Sequence, residues 1–496
     1  MNIAKNLENA ALFFPRKPAL IFEGRTYSFA ELNQQVNRLA NALAAQGVCR
    51  GDRVALFLPN IPAFVIGYFA VQKLGGIAVS INSMSKKREI DYIVNDSGSK
   101  VLFTTAPLRE EVPDDRLPAL EKVIIVEGEA GNDLDLDELI AKGSGDFRAT
   151  DMAPDDPAVI LYTSGTTGSP KGAVLTQKNI VSNSASAGNC SRVTPEDRLL
   201  LFLPLFHCFG QNYILNGAYS KCATVVLLRR FEPEPVLDLL AREHVTMLFA
   251  VPTVYIHFLN TDTSGHDLSS LRYCFTAAAT MPRETALQWK EKFGMLAHEG
   301  YGLTESSPFA TYNHYYRHKH GSIGTPIENV DVMIVDSEGN EVPLGEQGEI
   351  VIRGPNVMKG YWGKPEATRE AIRNGWLRSG DVGTMDDEGY FFITDRVKDM
   401  INAAGFNVYP NEVEQVIYQI PSVQEVAVYG VADPVRGETV YASIILKEGM
   451  SATEESVIEF CRANMAVYKT PRKVLFTDQL PKSPTGKILK RILREQ

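Results

Sequence analysis

Residues 163–172 read TSGTTGSPKG, a stretch rich in glycine and hydroxyl side chains that ends in Pro-Lys-Gly. Glycines let a backbone turn its N–H groups towards an anion, hydroxyls add further donors, and Lys171 adds positive charge. The stretch is not a Walker loop, because no lysine preceded by glycine is followed by serine or threonine. It could be a flexible linker, but the apolar run at 158–162 that leads into it favours a fixed polyphosphate site.

Four other residues could act on a bound phosphate, and each also has an ordinary structural interpretation. Glu305 is a lone carboxylate suited to a hard cation, or an ordinary residue at a helix start. Asp381 could accept two hydroxyl groups, or could simply close a Ser-Gly-Asp turn. Lys487 could bridge two anions, but residues 469–496 hold eight basic and two acidic side chains, so it could be one more surface charge. His207 lies among phenylalanines and could be a core histidine.

The elements that must hold these residues alternate between strands and helices in the first half of the chain. The segment 28–48 has apolar residues at helical spacing and begins with a capping box of Ser28 and Glu31. This rhythm predicts mainly parallel sheets covered by helices. The predicted strands and helices lie at 53–60, 63–76, 77–82, 88–98, 100–105, 199–206, 223–228, 233–244, 246–250 and 271–276.

The pattern changes after residue 320. Short alternating runs between glycine turns over 320–395 predict antiparallel strands, a small barrel-like β region. After DRVKDM (395–400) come about 100 residues with enough helix and strand for a small α+β core of their own. We therefore predict an α/β protein with a large domain over 1–397 and a small domain over 398–496.

The totals for the chain narrow the classes of function. The 496 residues are 44% apolar and 22% charged with a net charge of −10, which is typical of a globular protein of two or three domains and does not favour a nucleic-acid partner. The six cysteines form no CxxC pair, so neither a zinc site nor a redox motif is visible.

We expect a cytoplasmic protein without a signal peptide or transmembrane segment. The segment KILKRILREQ (487–496) would also suit a membrane surface, because it is basic and amphipathic. The sequence gives no indication of oligomeric state.

The stretch TSGTTGSPKG resembles the signature loop of the acyl-adenylate-forming superfamily, which includes acyl-CoA synthetases, luciferases and the adenylation domains of peptide synthetases. The resemblance covers nearly the whole chain and points to the acyl-CoA synthetase, or fatty-acid–CoA ligase, branch. Five further stretches match later family motifs in the family's order: LPLFHCFG (203–210), HEGYGLTE (298–305), WLRSGDVG (376–383), YFFITDRVKDMINAAGFNVYP (390–410) and PKSPTGKILK (481–490).

The resemblance implies a two-step reaction that uses ATP, Mg²⁺ and coenzyme A. A small-molecule carboxylic acid attacks the α-phosphorus of ATP, which gives an acyl-adenylate and pyrophosphate, and the thiol of coenzyme A then displaces AMP. The acid is already ionised at neutral pH. The enzyme must therefore align like-charged reactants and neutralise phosphate, rather than supply a strong base.

The resemblance also assigns roles to residues of this chain. The catalytic residues would be Lys487, Thr304, Glu305 and His207, with Lys487 bridging the carboxylate and the α-phosphate. Thr163 and Glu305 would hold Mg²⁺. The acid would lie against His207, Cys208, Phe209, Gly210, Gln211, Ala277, Gly302 and Ser307. The nucleotide or coenzyme would contact Thr163, Ser164, Gly165, Thr166, Thr167, Gly168, Lys171, Ala278, Ala279, Thr280, Glu299, Gly300, Tyr301, Gly302, Thr304, Asp381, Ile393, Arg396, Lys398, Gly405 and Lys487.

Two positions depart from the family's pattern, and one is expected to be a hinge. Ala277 stands where glycine is usual, and Glu299 stands where glutamine or asparagine is usual beside adenine. The resemblance makes Lys398 the hinge about which the small domain turns between the two steps. Gly405 would then line the path of the pantetheine arm in place of Lys487.

The acid itself is less specified than the reaction. LPLFHCFGQ (203–211) is similar to the version in bacterial fatty-acyl-CoA synthetases, which favours a medium- or long-chain fatty acid over an aromatic or alicyclic acid. Two other functions stay open. One is an acyl-AMP ligase that loads a carrier protein, and the other is a non-catalytic nucleotide-sensing or scaffold protein that has kept the fold.

Overall fold

The computed structural model describes residues 1–113, 117–163, 170–396, 399–403, 406–433, 437–483, 486 and 488–494, with the backbone alone at 396, 406, 407 and 437. These parts of the chain form two large sheets, a smaller antiparallel sheet and a fourth sheet near the C-terminus. The α/β class predicted from the alternating strands and helices is confirmed.

The first large sheet has a parallel centre with antiparallel pairing at one edge. Val54 and Leu56 of a central strand pack into one hydrophobic cluster, whereas Ala55 and Phe57 pack into another. Both faces are therefore covered, as expected for parallel strands. In order across the sheet, its eight described strands are Gly360–Tyr361, Lys171–Thr176, Pro157–Thr163, Ile77–Ser80, Arg53–Leu56, Val101–Thr104, Lys122–Ile125 and Leu134–Asp135.

The second large sheet is also parallel at its centre and antiparallel at both edges. It draws its strands from the N-terminus and from the segment 198–326, so the chain leaves this sheet to build the first one and then returns. Across the sheet, its nine described strands are Thr325–Pro326, Thr311–Tyr312, Ala297–Tyr301, Tyr273–Thr276, Met247–Ala250, Arg198–Leu201, Thr224–Leu227, Pro18–Phe22 and Arg25–Ser28.

Two helices lie between the large sheets. Phe29–Ala45 packs on the edge strands of the second sheet, Pro62–Leu74 packs on the first sheet, and the two helices contact each other. Ser28 and Glu31 form the predicted capping box, which fixes where the first helix begins. Every residue of Pro62–Leu74 is buried, in keeping with a helix that is apolar on all sides.

The remaining helices cover the sheets or join them. The α-helices are Lys5–Phe13, Phe29–Ala45, Pro62–Leu74, Lys87–Ser97, Ala106–Arg109, Leu136–Lys142, Gln177–Cys190, Gly217–Ser220, Pro233–Arg242, Pro252–Asn260, Arg283–Phe293, Pro365–Ala371, Pro410–Ile417, Glu454–Asn464 and Lys490–Arg494. Phe209–Asn216 is a π-helix, and Thr304–Ser306, Tyr315–Arg317 and Val467–Lys469 are 3₁₀-helices. In the described residues, no helix combines the length and apolarity needed to cross a membrane.

The two smaller sheets follow in sequence order. The region after residue 320 forms the predicted antiparallel sheet from Asp331–Val335, Gly348–Arg353, Ile372–Arg373, Trp376–Met385 and Phe391–Arg396. The last sheet contains Ile401–Ala403, Phe406–Val408, Val423–Asp433, Gly437–Leu446 and Lys473–Phe476. Its apolar residues, from Ile401 to Leu493, form clusters separate from the large N-terminal core. This is the small α+β core predicted from the tail.

A buried lysine ties the interior helices to the N-terminus. Lys73 is fully buried, and its Nζ donates to Glu8 Oε1 at 2.8 Å, to Asn33 Oδ1 at 2.8 Å and to Asn37 Oδ1 at 2.6 Å. Burial lowers the pKa of Lys73, and the Glu8 carboxylate opposes that shift. The three acceptors satisfy the three ammonium protons, which is the condition for holding a cation inside a protein.

We expect Lys73→Met to lower the free energy of unfolding by about 3 kcal/mol, because two amide oxygens lose their donor and the Glu8 carboxylate loses its cation, keeping the Ala149 N–H at 2.9 Å. Lys142→Met removes the exposed Lys142–Glu138 pair of 2.8 Å and is the matched control. It should cost less than about 0.5 kcal/mol. Urea denaturation of both variants measures the difference, and equal midpoints would show that the buried contacts add nothing.

Candidate active site

The candidate site lies where the carboxyl ends of the two large sheets meet. Thr163 ends a strand of the first sheet, and Glu305 lies in the 3₁₀ turn that follows strand Ala297–Tyr301 of the second sheet. The Thr163 hydroxyl donates to Glu305 Oε1 at 3.2 Å. Ligands of parallel α/β sheets characteristically bind at this end of the strands.

The glycine-rich loop leaves and re-enters the first sheet at one point. Thr163 and Lys171 are cross-strand partners in an antiparallel ladder, so residues 164–169 join two adjacent strand ends. The Lys171 ammonium lies 5.3 Å from the centre of the Tyr361 ring. Of the predicted phosphate ligands, those outside the described residues are Ser164, Gly165, Thr166, Thr167 and Gly168.

A second group of polar contacts supports this loop from outside. Tyr162 donates to Asp96 Oδ2 at 2.7 Å, and Lys364 donates to the other oxygen of the same carboxylate at 3.0 Å. Tyr92 donates to the Pro170 carbonyl at 2.9 Å. Asp96 thus joins the strand before the loop to the segment that contains Lys364, and Tyr92 contacts Pro170 at the other end of the loop.

The predicted adenine and ribose residues come together where the second large sheet meets the smaller antiparallel sheet. Tyr301 donates to Asp381 Oδ2 at 2.7 Å, although the two residues are far apart in sequence and both are buried. Arg396 is the backbone partner of Asp381, but its side chain lies outside the described residues. A Cβ at Gly302 would overlap the Pro308 carbonyl, so glycine is needed there for close packing.

The carboxyl group of Glu299 lies in an unusual environment beside the adenine residues. It is buried, and its Oε1 accepts a hydrogen bond of 3.1 Å from the Met281 N–H. Burial raises the pKa of Glu299 to about 8, and the Met281 hydrogen bond opposes this only in part. At neutral pH the side chain is therefore mainly a neutral acid, which resembles the glutamine it replaces in having both a donor and an acceptor.

The predicted acid residues divide between the wall of a cavity and the layer behind it. His207 is half-buried, and its Nδ1 accepts from the Phe209 N–H at 3.2 Å, so a neutral ring carries its proton on Nε2. Cys208 contacts the Thr304 hydroxyl at 3.4 Å, and burial raises the pKa of its thiol to about 12, which makes it a poor nucleophile.

Three of the predicted acid residues lie behind that wall. A Cβ at Gly210 would come within 2.5 Å of the Pro204 carbonyl, so this glycine permits backbone packing rather than widening a channel. Gln211 is fully buried and donates to Ser80 Oγ at 2.7 Å. Ser307 is also fully buried and donates to the Asn356 carbonyl at 2.7 Å.

One cavity of about 900 Å³ joins the polar and apolar ends of the site. Thr163, Lys171 and Glu305 line its polar end, and aromatic side chains line its apolar end. A neighbouring cavity of about 570 Å³ contains Glu299, Asp381 and Ile393, and it shares the wall around Tyr301. The predicted residues Ala278, Ala279, Thr280, Gly300 and Gly302 line the second cavity, and Ala277 lines the first.

The C-terminal segment covers both cavities. Ser483 and Leu489 line the first cavity, and Gly486 packs against the start of helix Pro252–Asn260, where its added Cβ would lie 3.0 Å from Val251 Cγ2. Lys487, Lys398 and Gly405, which carry the predicted bridging, hinge and coenzyme roles, lie outside the described residues.

Among the described residues, the side chains of the site that could bind a metal ion are few, and they offer hard oxygen ligands. Across the described residues, no group of three or more His, Cys, Asp or Glu side chains could hold a metal ion. The Thr163 hydroxyl and the Glu305 carboxylate offer oxygen ligands at one point. This set fits Mg²⁺, which binds through one or two carboxylates together with substrate phosphates rather than in a full protein cage.

Two family models match the chain, an AMP-binding enzyme over residues 7–362 and an AMP-binding enzyme C-terminal domain over 412–487. The chain is 35% identical over 523 residues to a long-chain-fatty-acid–CoA ligase of Bacillus subtilis (strain 168), covering 99% of this chain and 93% of that protein. It is 38% identical over 492 residues to a feruloyl-CoA synthase of Amycolatopsis sp, covering 97% and 96%.

A solved anthranilate CoA ligase, AuaEII, in complex with anthranoyl-AMP, matches with a TM-score of 0.95 and 32% identity over 100% of this chain and 97% of that one. The chain belongs to the AMP-binding enzyme family. It is an AMP-forming acyl-CoA ligase of the acyl-adenylate-forming superfamily. The reaction of this family uses ATP and coenzyme A as reactants and Mg²⁺ as cofactor. The resemblance stated from the six motifs is thus confirmed.

Some residues of the site were missed from the sequence. Tyr361 donates to Glu305 Oε1 at 2.9 Å, and burial together with the Glu305 charge raises the pKa of its phenol, so the hydroxyl stays protonated and donates. The Asp96 carboxylate was also missed. The available signal for Tyr361 was a short Lys-Gly-Tyr-Trp stretch at 359–362, in which a glycine precedes two aromatic residues.

We expect the Glu299→Gln variant to become more stable relative to the natural protein as pH rises. The quantity compared is the free energy of unfolding of each protein. The folded-state pKa of Glu299 is about 8, well above the value of about 4.3 for an exposed glutamate. The natural protein therefore loses stability between these two pH values, whereas the amide does not titrate. The gain should reach at most about 4 kcal/mol at pH 8 and should vanish near pH 4.

Urea denaturation at several pH values measures this gain, and Glu291→Gln, at an exposed position on helix Arg283–Phe293, is the matched control. A pH-independent difference for Glu299→Gln would show that Glu299 is ionised in the folded protein. The variant should also keep ATP-dependent activity at pH 7, because an amide and a neutral acid offer the same kinds of hydrogen bond.

Proposed function

We propose that this ligase activates a medium- or long-chain fatty acid and transfers the acyl group to coenzyme A. The observation that carries the proposal is the single cavity of about 900 Å³, which joins Lys171 and Glu305 to an apolar end. An acid bound there has its carboxylate at the phosphate end and its chain among Phe209, Phe275 and Phe309. The long-chain-fatty-acid–CoA ligases among the relatives support the same class of acid.

In the first step, a carboxylate oxygen attacks the α-phosphorus of ATP and the bond to the bridging oxygen of pyrophosphate breaks. The acid, with a pKa of about 4, needs no base. Thr304 contacts the α-phosphate, and Lys171 contacts the departing phosphates. Lys487 bridges the carboxylate and the α-phosphate, which reduces the repulsion between two anions that must come into contact.

The nucleotide is held by residues that the fold has already fixed. Tyr301 stacks on adenine, and Asp381, whose Oδ2 accepts the Tyr301 hydroxyl at 2.7 Å, accepts the ribose hydroxyls. Glu299 faces the base as a neutral acid. Thr163 and Glu305 would hold Mg²⁺, which supplies positive charge to the phosphates. Holding all these groups in place before ATP binds lowers the entropy lost on alignment.

The second step needs a different arrangement of the C-terminal segment. We propose a large domain over 1–397 and a small domain over 398–496 that turns about Lys398, which removes Lys487 from the site. The coenzyme thiol then attacks the acyl carbonyl and AMP leaves. The path of the pantetheine arm passes Gly405, where a glycine allows close approach of a thin chain. The protonated His207 Nε2 faces this acyl end.

An aromatic acid is the second candidate, and a specific observation favours it. Phe209, Tyr213, Phe275 and Phe309 form one cluster of stacked and edge-on rings at the apolar end of the cavity. A Cβ at Gly300 would overlap the Phe275 ring, so the absence of a side chain there makes room for this wall. A flat acid would stack on it. Feruloyl-CoA synthase and anthranilate CoA ligase are also among the similar proteins.

We propose a cytoplasmic location. Contact of the basic C-terminal segment with a membrane stays a prediction. Leu493 of that segment is buried in the cluster that contains Ala427 and Tyr429. A carrier protein could replace coenzyme A as the source of the attacking thiol.

We expect AMP release to depend on the acid, with dodecanoate and palmitate preferred over ferulate and benzoate by at least about tenfold in kcat/KM. The assay follows AMP with and without coenzyme A. A preference for ferulate or benzoate would favour the aromatic alternative. AMP release at the same rate without coenzyme A would indicate an adenylate-only or carrier-loading enzyme, and no turnover with any acid would indicate a scaffold.

We expect Lys487→Ala to reduce acid-dependent ATP–pyrophosphate exchange by at least about 100-fold, because the charge between the two anions is lost. Thioester formation from supplied acyl-adenylate should change by less than about threefold, since that step does not bring two anions together. Lys473→Ala, a partly exposed lysine paired with Glu454 on the small domain, is the matched control. Equal losses in both half-reactions would refute the proposed division of roles.

A further inference from the structure

The Glu305 carboxylate is held from one side only. Its Oε1 accepts both the Thr163 hydroxyl at 3.2 Å and the Tyr361 hydroxyl at 2.9 Å, and these are the hydrogen bonds that described side chains make to it. Both donors are neutral hydroxyls, so neither places a positive charge beside the carboxylate. Both bonds fall on one oxygen, and among the described side chains none donates to Oε2, which leaves it available to another ligand.

Lys171 lines the same cavity as this carboxylate, but among the described residues the two form no ion pair. Among the ion pairs between described residues, none joins Lys171 to Glu305 or to another carboxylate. Its ammonium instead lies 5.3 Å from the centre of the Tyr361 ring, within the range of a cation–π contact. Tyr361 therefore meets the cation with its ring and the anion with its hydroxyl, so one side chain contacts both of the opposite charges.

The position of Tyr361 is set by its backbone. Strand Gly360–Tyr361 pairs with strand Lys171–Thr176, with Tyr361 opposite Ala173. Gly360 has a φ of +147°, and a Cβ there would lie 2.7 Å from Thr368 Cγ2. The Thr368 hydroxyl in turn accepts the Tyr361 N–H at 2.9 Å. Few other positions are therefore open to the ring.

The same short segment also fixes Glu305 through the main chain. The Met358 N–H donates to the Glu305 carbonyl at 2.8 Å, only three residues before the tyrosine. The segment 358–361 thus holds both the backbone and the side chain of Glu305 in place. A shift of this segment would move the carboxylate and the lysine contact together.

We propose that Tyr361 is a positioning residue for nucleotide binding. Its hydroxyl orients Glu305 so that Oε2 is available to the divalent cation, and its ring prevents Lys171 from pairing with Glu305, which leaves the lysine free for phosphate. This inference rests on the proposed function, because it assumes that ATP and Mg²⁺ bind at Lys171 and Glu305. An ion pair between those two residues would have to break before either could bind its ligand, and Tyr361 removes that requirement.

Three variants of the full-length protein separate the two roles of Tyr361. Tyr361→Phe keeps the ring and removes the hydroxyl, and Tyr361→Leu removes both. The double variant Tyr361→Leu/Glu305→Gln also removes the charge with which Lys171 would pair. Tyr429→Phe, which loses a buried hydroxyl contact of 3.1 Å to Ser443 in the small domain, is the matched control.

Isothermal titration with ATP, in EDTA and then in MgCl₂, gives a readout that does not depend on turnover. Tyr361→Phe should bind ATP in EDTA with the same affinity as the natural protein. The increase in ATP affinity on adding MgCl₂ should be about tenfold smaller in this variant than in the natural protein. Tyr361→Leu should also bind ATP several-fold more weakly in EDTA, and the double variant should recover that loss. The control should match the natural protein in both titrations.

Two results would overturn the proposal. One is an unchanged effect of Mg²⁺ in Tyr361→Phe, and the other is a loss in EDTA for Tyr361→Leu that the double variant does not recover. The two variants test separate roles, so a failure of one to fold leaves the other decisive. If the natural protein binds no ATP in either buffer, the proposed function fails rather than the role of Tyr361.

Discussion

The hydrogen bond from Thr163 to Glu305 is the contact on which the rest of the site depends. It joins the end of a strand in the first large sheet to the turn that follows a strand in the second, so it fixes the two sheets relative to each other at their carboxyl ends. Both residues line the cavity of about 900 Å³, and that cavity shares the wall around Tyr301 with the neighbouring one. Were the sheets to move apart here, the phosphate residues and the nucleotide residues would no longer face one space.

Charged side chains have different kinds of partner in the core and in the site. In the core, Lys73 has three acceptors for its three protons, so nothing is left to bind a ligand. In the site, Lys171 lies against a ring, and the donors that reach the Glu305 carboxylate from the described residues are two hydroxyls. Unpaired charges normally destabilise a folded protein, and they persist where a ligand of opposite charge completes them. The contrast identifies the site from its electrostatics alone, without reference to the motifs.

Local sequence patterns predicted the elements well, and contacts between distant segments poorly. The capping box at Ser28 and the buried helix Pro62–Leu74 follow from residues within a few positions of each other. Tyr361 meets Glu305 across 56 residues of sequence, and no periodicity connects them. The π-helix Phe209–Asn216 was also unforeseen, because its extra residue per turn leaves no mark in apolar spacing. Gly210 was expected to lie against the acid, whereas its close contact with the Pro204 carbonyl comes from backbone packing that no local pattern specifies.

The division of the hydrophobic core bears on how the C-terminal segment could move. The large cluster of buried residues ends at Phe391 and the next begins at Ile401, with no buried apolar residue shared among those described. Between the two regions, the contacts include the Arg283 N–H with Gln415 Oε1 at 3.3 Å and the Asn411 N–H with Asp395 Oδ2 at 2.8 Å. A rotation that breaks such polar contacts exchanges them for water and exposes little core. Reorientation between two half-reactions therefore need not unfold either part, and the cover over the ATP site can leave while the core of the small domain stays intact.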